Sequence, residues 1–101
     1  MTDLIQIVVV TDHEYKDALV DSLINFTHAS GFTLFDVSGF SQEHHHYDIE
    51  EQVQGYRNMV RLEVTIATQY KSELLELLTN IPKRSTFRYW ELPVLGTGHI
   101  D

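Results

Sequence analysis

Residues 4–10, LIQIVVV, restrict the fold more than any other stretch of the chain. The run is apolar and rich in β-branched side chains, and only Gln6 interrupts it. Side chains of a strand alternate between its two faces. Here both faces are apolar, so the strand needs cover on both sides and belongs in the middle of a sheet. The run is far shorter than the roughly 20 apolar residues a membrane helix needs.

The rest of the chain supplies the partners of that strand. TDHE follows at residues 11–14, where Thr11 can cap a helix while Glu14 reaches back, the spacing of a capping box. Tyr15, Ala18, Leu19, Ser22, Leu23 and Phe26 then recur at helical spacing, and Gly31 is placed to end the connection. Residues 32–40, FTLFDVSGF, read as a second strand. Residues 41–57, SQEHHHYDIEEQVQGYR, keep no apolar period and read as a long polar loop, a feature that is often functional in a compact domain. From Asn58, Val60, Leu62, Val64 and Ile66 alternate with Arg61, Glu63 and Thr65, the pattern of a strand with one buried face. Tyr70, Leu74, Leu77, Leu78 and Ile81 form one helical stripe that Pro82 stops. Residues 86–95 read as the last strand, in which Pro93 requires an edge or an end position.

The order βαββαβ predicts an α+β, ferredoxin-like sandwich: a four-stranded antiparallel sheet with two helices on one face, in a single domain over 1–101. Two helices shield only one side of that sheet. The first strand is apolar on both sides, and the second offers Phe32 and Leu34 to one face and Phe35 and Val37 to the other. The expectation is that a second copy of the chain buries the remaining face.

Charge and composition remove several function classes. Asp and Glu outnumber Lys and Arg by 15 to 7, a formal charge of -8. Such a balance opposes nucleic-acid binding, where neutralisation of phosphates by basic residues dominates affinity. It equally opposes attraction to an anionic membrane surface. The absence of cysteine removes disulfides, thiolate metal sites and a Cys nucleophile. The first residues carry neither a basic region nor a small-residue cleavage site, so the expected location is the cytoplasm. No Ser, His and acid set, no glycine-rich phosphate loop and no distinguished acid pair stands out, and the expectation is a protein that is not an enzyme.

The element order, SGFS at 38–41 closing the second strand, the long segment after it and ELPV at 91–94 together resemble the PII-like superfamily. More narrowly, the chain resembles a group of small PII-like proteins of proteobacteria associated with heavy-metal efflux. The resemblance covers nearly the whole chain. It implies a homotrimer whose sheets line a central barrel. It also implies that segment 41–57 corresponds to the T-loop through which PII proteins contact partners, with ligands held in clefts between subunits near its base. The pattern departs from nucleotide-binding PII proteins in one respect. The turn before the last strand, IPKRSTF, has no glycine, and GTGHID after that strand has no basic residue, so a nucleotide is not the expected ligand.

Two sets of residues carry candidate chemistry. His44, His45 and His46 lie together in the long segment. In an extended backbone His44 and His46 share a face and could chelate one ion, Zn, Cu, Ni or Co being the metals imidazole suits. Glu43 and Asp48 could add an oxygen ligand or orient an imidazole, and His99 in the tail is a further possible ligand. The bland alternative is a solvated polar loop, because three adjacent histidines match no structural-zinc spacing. The second set is Lys83, Arg84 and Arg88, a basic cluster that could hold an anionic ligand or nucleotide at the subunit cleft, or simply pair with acidic neighbours. His13 and His28 read as structural, His28 through the carbonyls that end the first helix. Tyr89 and Trp90 lie on opposite faces of the last strand and read as packing residues.

Overall fold

The structure, a computed structural model, describes residues 3–40 and 55–101. Four strands, β1 (Leu4–Asp12), β2 (Phe32–Gly39), β3 (Arg57–Ala67) and β4 (Arg88–Val94), form one sheet in the order β2-β3-β1-β4. Every neighbouring pair is antiparallel. The helices α1 (Lys16–Leu23) and α2 (Lys71–Thr79) follow β1 and β3, each entered through a 3-10 turn, His13–Tyr15 and Thr68–Tyr70. This is the expected α+β ferredoxin-like arrangement. β1 pairs on both sides, with β3 and with β4, so the run that is apolar on both faces takes a central place. β4 is an edge strand, which is where Pro93 can sit without removing a ladder bond.

The sheet has two different faces. Ile7 and Val9 of β1 and Val60, Leu62, Val64 and Ile66 of β3 are no more than 2% exposed. They pack with Leu19 and Leu23 of α1 and with Leu74, Leu78 and Ile81 at α2. Full burial of each such side chain contributes about 1.5–3 kcal/mol. The predicted stripe Tyr70, Leu74, Leu77, Leu78, Ile81 is the face that α2 turns to this core. The opposite face carries Val8, Val10, Phe35, Val37, Met59, Trp90 and Leu92, with Arg61, Glu63 and Arg88 among them, as the strand registers require.

The start of the first helix differs from the capping box expected of Thr11 and Glu14. β1 runs on through Asp12, Thr11 lies in the sheet opposite Val60, and no side chain caps the following turn. Glu14 instead pairs with Arg84, far along the chain. A long-range ion pair has taken the carboxylate that the local motif needed.

Candidate functional site

Segment 41–57 is anchored on a hairpin base. β2 and β3 pair down to Ser38 opposite Asn58 and Gly39 opposite Arg57. One step beyond, the rings of Phe40 and Tyr56 lie 5.6 Å apart. Two glycines flank this base for different reasons. A Cβ on Gly39 would lie 2.1 Å from the Met59 sulfur, so the thioether would have to move. Gly55 has φ +82, a left-handed conformation that side chains disfavour. Glu43, His44, His45, His46 and Asp48 lie outside the described residues.

Beside this base, where β4 stops short of the end of β1, is a pocket of about 300 Å³ lined by Val10, Thr11, Asp12, Arg57, Met59, Ser85, Thr86 and Arg88. Arg57 Nη2 lies 2.5 Å from Asp12 Oδ1, and both side chains are mostly buried. The Ser85 hydroxyl donates to the other Asp12 oxygen at 3.4 Å. Arg57 Nε is buried here and has no hydrogen-bond partner among the described residues; Thr11 Oγ1 is likewise buried and unpartnered among them, but on the helix side of the sheet, where Thr11 stands opposite Val60. An orphaned buried polar group of this kind costs about 1–3 kcal/mol. The guanidinium of Arg88 lies 5.8 Å from the centre of the Trp90 ring, and that of Arg61 lies 5.5 Å from it.

The structure draws the basic cluster Lys83, Arg84 and Arg88 in three directions. Lys83 Nζ donates to the carbonyls of Leu78 (3.1 Å), Thr79 (2.9 Å) and Ile81 (2.7 Å), and so closes the end of α2. It also lies 4.8 Å from the centre of the Phe87 ring. Arg84 reaches Glu14 with its side chain, and that contact raises the guanidinium pKa. Its backbone N–H donates to the Tyr15 hydroxyl at 2.7 Å, which lowers the phenol's pKa from its usual 10.0. Glu14 and Tyr15 thereby clamp the turn before β4 to the start of the first helix. Only Arg88 of the three lines the pocket.

The histidines also separate. His99 is exposed in the tail after β4, where Leu95 and Ile100 are fully exposed as well. His13 Nε2 is 3.4 Å from Asp36 on β2. His28 does not serve the carbonyls of α1 as expected. Its ring stacks on Tyr70 at 3.8 Å and its Nε2 lies 3.0 Å from Glu73 of α2. It lies beyond the last turn of α1, beside the other helix. Among the described residues no group of three or more His, Asp and Glu is placed to hold a metal ion. No helix of the described residues is long and apolar enough to cross a membrane.

Sequence reasoning missed Asp12 and Arg57. Arg57 stands at the last position of the predicted loop. The single available signal was the position of Arg57 at the end of the polar run.

The fold is PII-like. It is shared with CPII, a nitrogen regulatory PII-like protein from Thiomonas intermedia K12, solved bound to ADP, AMP and bicarbonate, at TM-score 0.69 and 13% identity over 96% of this chain and 97% of that one. It is likewise shared with Arabidopsis thaliana PII bound to citrate, at TM-score 0.68 and 12% identity over 93% of this chain and 77% of that one. Within this fold the chain belongs to the DUF3240 family, described as proteins of unknown function, whose family model matches residues 1–101. A DUF3240 family protein from Shewanella baltica OS155 superimposes at TM-score 0.81, with 29% identity and both chains covered in full. No curated protein matches the chain significantly.

Proposed function

We propose that this chain is a PII-like regulatory protein, not an enzyme. It assembles as a homotrimer through the open face of its sheet and binds a small anionic ligand in the cleft at the base of segment 41–57. The observation that carries this reading is the convergence of Arg57 and Arg88 on one pocket beside the Ser85 and Thr86 residues, where that segment rejoins the sheet. Two guanidiniums against one carboxylate leave the pocket positive within an acidic chain. Both PII-fold proteins named above were solved with anions bound, nucleotides and bicarbonate in one and citrate in the other. Occupancy at the base of segment 41–57 would change the surface offered to a partner protein, a local event with a distant readout.

A thermal-shift screen of ADP, AMP, bicarbonate and citrate tests the ligand class. The expected result is a dose-dependent rise in Tm for at least one anion, reduced in Arg88→Ala. Indifference to all four would sink the reading. Sedimentation tests the assembly, and a monomer at micromolar concentration would contradict the trimer.

A second reading rests on the histidine run. Segment 41–57 carries Glu43, His44, His45, His46 and Asp48 between two strand ends held side by side, and the exposed His99 of a neighbouring copy could reach the same region. These residues would hold Zn, Cu, Ni or Co, and the trimer would then report metal to a partner such as a metal-efflux system. Neutral imidazoles are required for ligation, so affinity should fall below about pH 6. Calorimetric titration of the four metals into the wild type and a His44→Ala/His46→Ala variant decides it, and equal affinities would remove the site.

A further inference from the structure

A groove of about 370 Å³ runs between α2 and the edge strand β4, lined by Val9, by Leu75 and Leu78 of α2, and by Phe87 and Tyr89 at the start of β4. Tyr89 stands opposite Val9 in the register, so the groove opens on the helix side of the sheet, away from the apolar floor on the other face. Lys83 is its one charged lining residue. We infer that this groove receives residues 96–101 of a second copy of the chain, with Ile100 as the anchor and Asp101 beside Lys83. The inference rests on the homo-oligomer reading above and names the segment that each copy contributes.

The groove and the tail are each incomplete alone. Leu75 is only partly buried and lies outside the helix-side core, and Tyr89 is 49% exposed. Their apolar surface is arranged around a cavity and left wet. The tail has the opposite defect. Leu95 and Ile100 are fully exposed, with no cover from their own chain. An aliphatic side chain in a groove of leucine and aromatic walls is the kind of anchor that carries binding energy.

The tail glycines point the same way. In an extended backbone Gly96, Gly98 and Ile100 share one face. A Cβ on either glycine would meet nothing within 4 Å in the free chain, and neither has a positive φ. Packing within the chain therefore gives no reason for glycine at 96 or 98. Close approach of that face to another surface does. Charge agrees as well. Asp101 is the one charged side chain of residues 95–101 with His99 neutral, and Lys83 is the one charged residue of the groove. The three carbonyls that hold the Lys83 ammonium fix its position and leave its charge in place.

The chain cannot fill its own groove. β4 runs away from it, from Arg88 to Val94, and the tail leaves at the far end. Even a two-residue turn directly after Val94 would bring Ile100 back only to Glu91. That is two residues, about 7 Å, short of Tyr89. A neighbouring copy has no such limit. Each copy carries one groove and one tail, and head-to-tail exchange of this kind closes into a ring.

The absence of cysteine makes the test clean. A Leu75→Cys/Ile100→Cys variant of the full chain is oxidised and run on a non-reducing gel. An Ile24→Cys/Ile100→Cys variant serves as control, because Ile24 is exposed but lies outside the groove. The expected result is disulfide-linked dimers and trimers from the first variant and monomers from the second. A disulfide closed within one chain, or equal linking in both variants, overturns the inference. Sedimentation under reducing conditions separates the two readings. Free thiols in a protein that sediments as a trimer remove the tail exchange and leave the assembly standing, whereas free thiols in a monomer remove both. Ile100→Glu gives a second readout that needs no cysteine. It should raise the concentration at which the assembly dissociates by about tenfold or more, with circular dichroism unchanged. Dissociation at the wild-type concentration overturns the inference.

Discussion

The two faces of the sheet are built from the same strands and solve different problems. On the helix side, Leu62 and Leu74 are fully buried within one chain. On the other side Val8 is just as buried, yet Phe35 remains 38% exposed and Leu92 43%. Among the described residues no helix lies over Val8, which pairs in the sheet with Trp90 on one side and Glu63 on the other. One face is closed by the chain that made it. The other is an apolar floor crossed by Arg61, paired with Glu63 at 2.9 Å and set beside Trp90. Such a mixture of aromatic anchors and satisfied charges suits an interface better than a core. The lesson is that a strand apolar on both faces commits the chain to a second cover without saying which molecule provides it.

The comparison can be broken most completely from the open side. A Phe35→Glu/Leu92→Glu variant should lose the proposed trimer altogether while keeping wild-type circular dichroism, because neither residue belongs to the helix-side core. Sedimentation of that variant as a trimer would show that this face is not the interface. The helix side should respond in the opposite way. Leu62→Ala should cost about 3 kcal/mol in urea unfolding at fixed protein concentration. Val8→Ala, equally buried but under a thinner cover, should cost about 1.5 kcal/mol. Equal losses would mean that the two faces are sealed alike.

Smaller effects sharpen the edges of the picture. Lys83→Met removes the cation that closes α2 and should cost about 1 kcal/mol, most visible as earlier hydrogen exchange in the last turn of that helix. The smallest effect concerns Lys71, whose ammonium donates to Glu91 at 2.7 Å across the helix-side edge of the sheet. That bond raises its pKa above the usual 10.5. The folded value exceeds the unfolded one, so the pair contributes fully below pH 10.5 and its contribution is lost as pH rises through the raised value. Stability curves of the wild type and Lys71→Met should therefore differ slightly at pH 9 and converge at strongly alkaline pH.

Much of the fold was legible because its signals are local and periodic. Alternation in β3, the stripe Leu74, Leu78, Ile81 on α2, and Pro93 on the edge strand each report a face or a position within a few residues of chain. The site was legible only in part. The polar run 41–57 marked the region, and Arg88 was singled out, but Lys83 and Arg84 were grouped with it by adjacency alone. In the structure these three neighbours face α2, Glu14 and Trp90 respectively. Glu14 left its expected capping role for Arg84, and His28 turned from the carbonyls of α1 to Tyr70 and Glu73.

By itself, then, the amino-acid order determined the element sequence, the central place of LIQIVVV and the existence of a second apolar face, since these follow from periodicity and from the cost of exposing apolar surface. Tertiary structure decided which charged side chain meets which. It brought Asp12, Arg57, Ser85 and Arg88 from β1, β3, the turn before β4 and the start of β4 to one pocket, and left Arg57 Nε there without a partner among the described residues. The physical reason is that polar partners are chosen by distance in space and by burial, and neither can be read until the strands have been set in register.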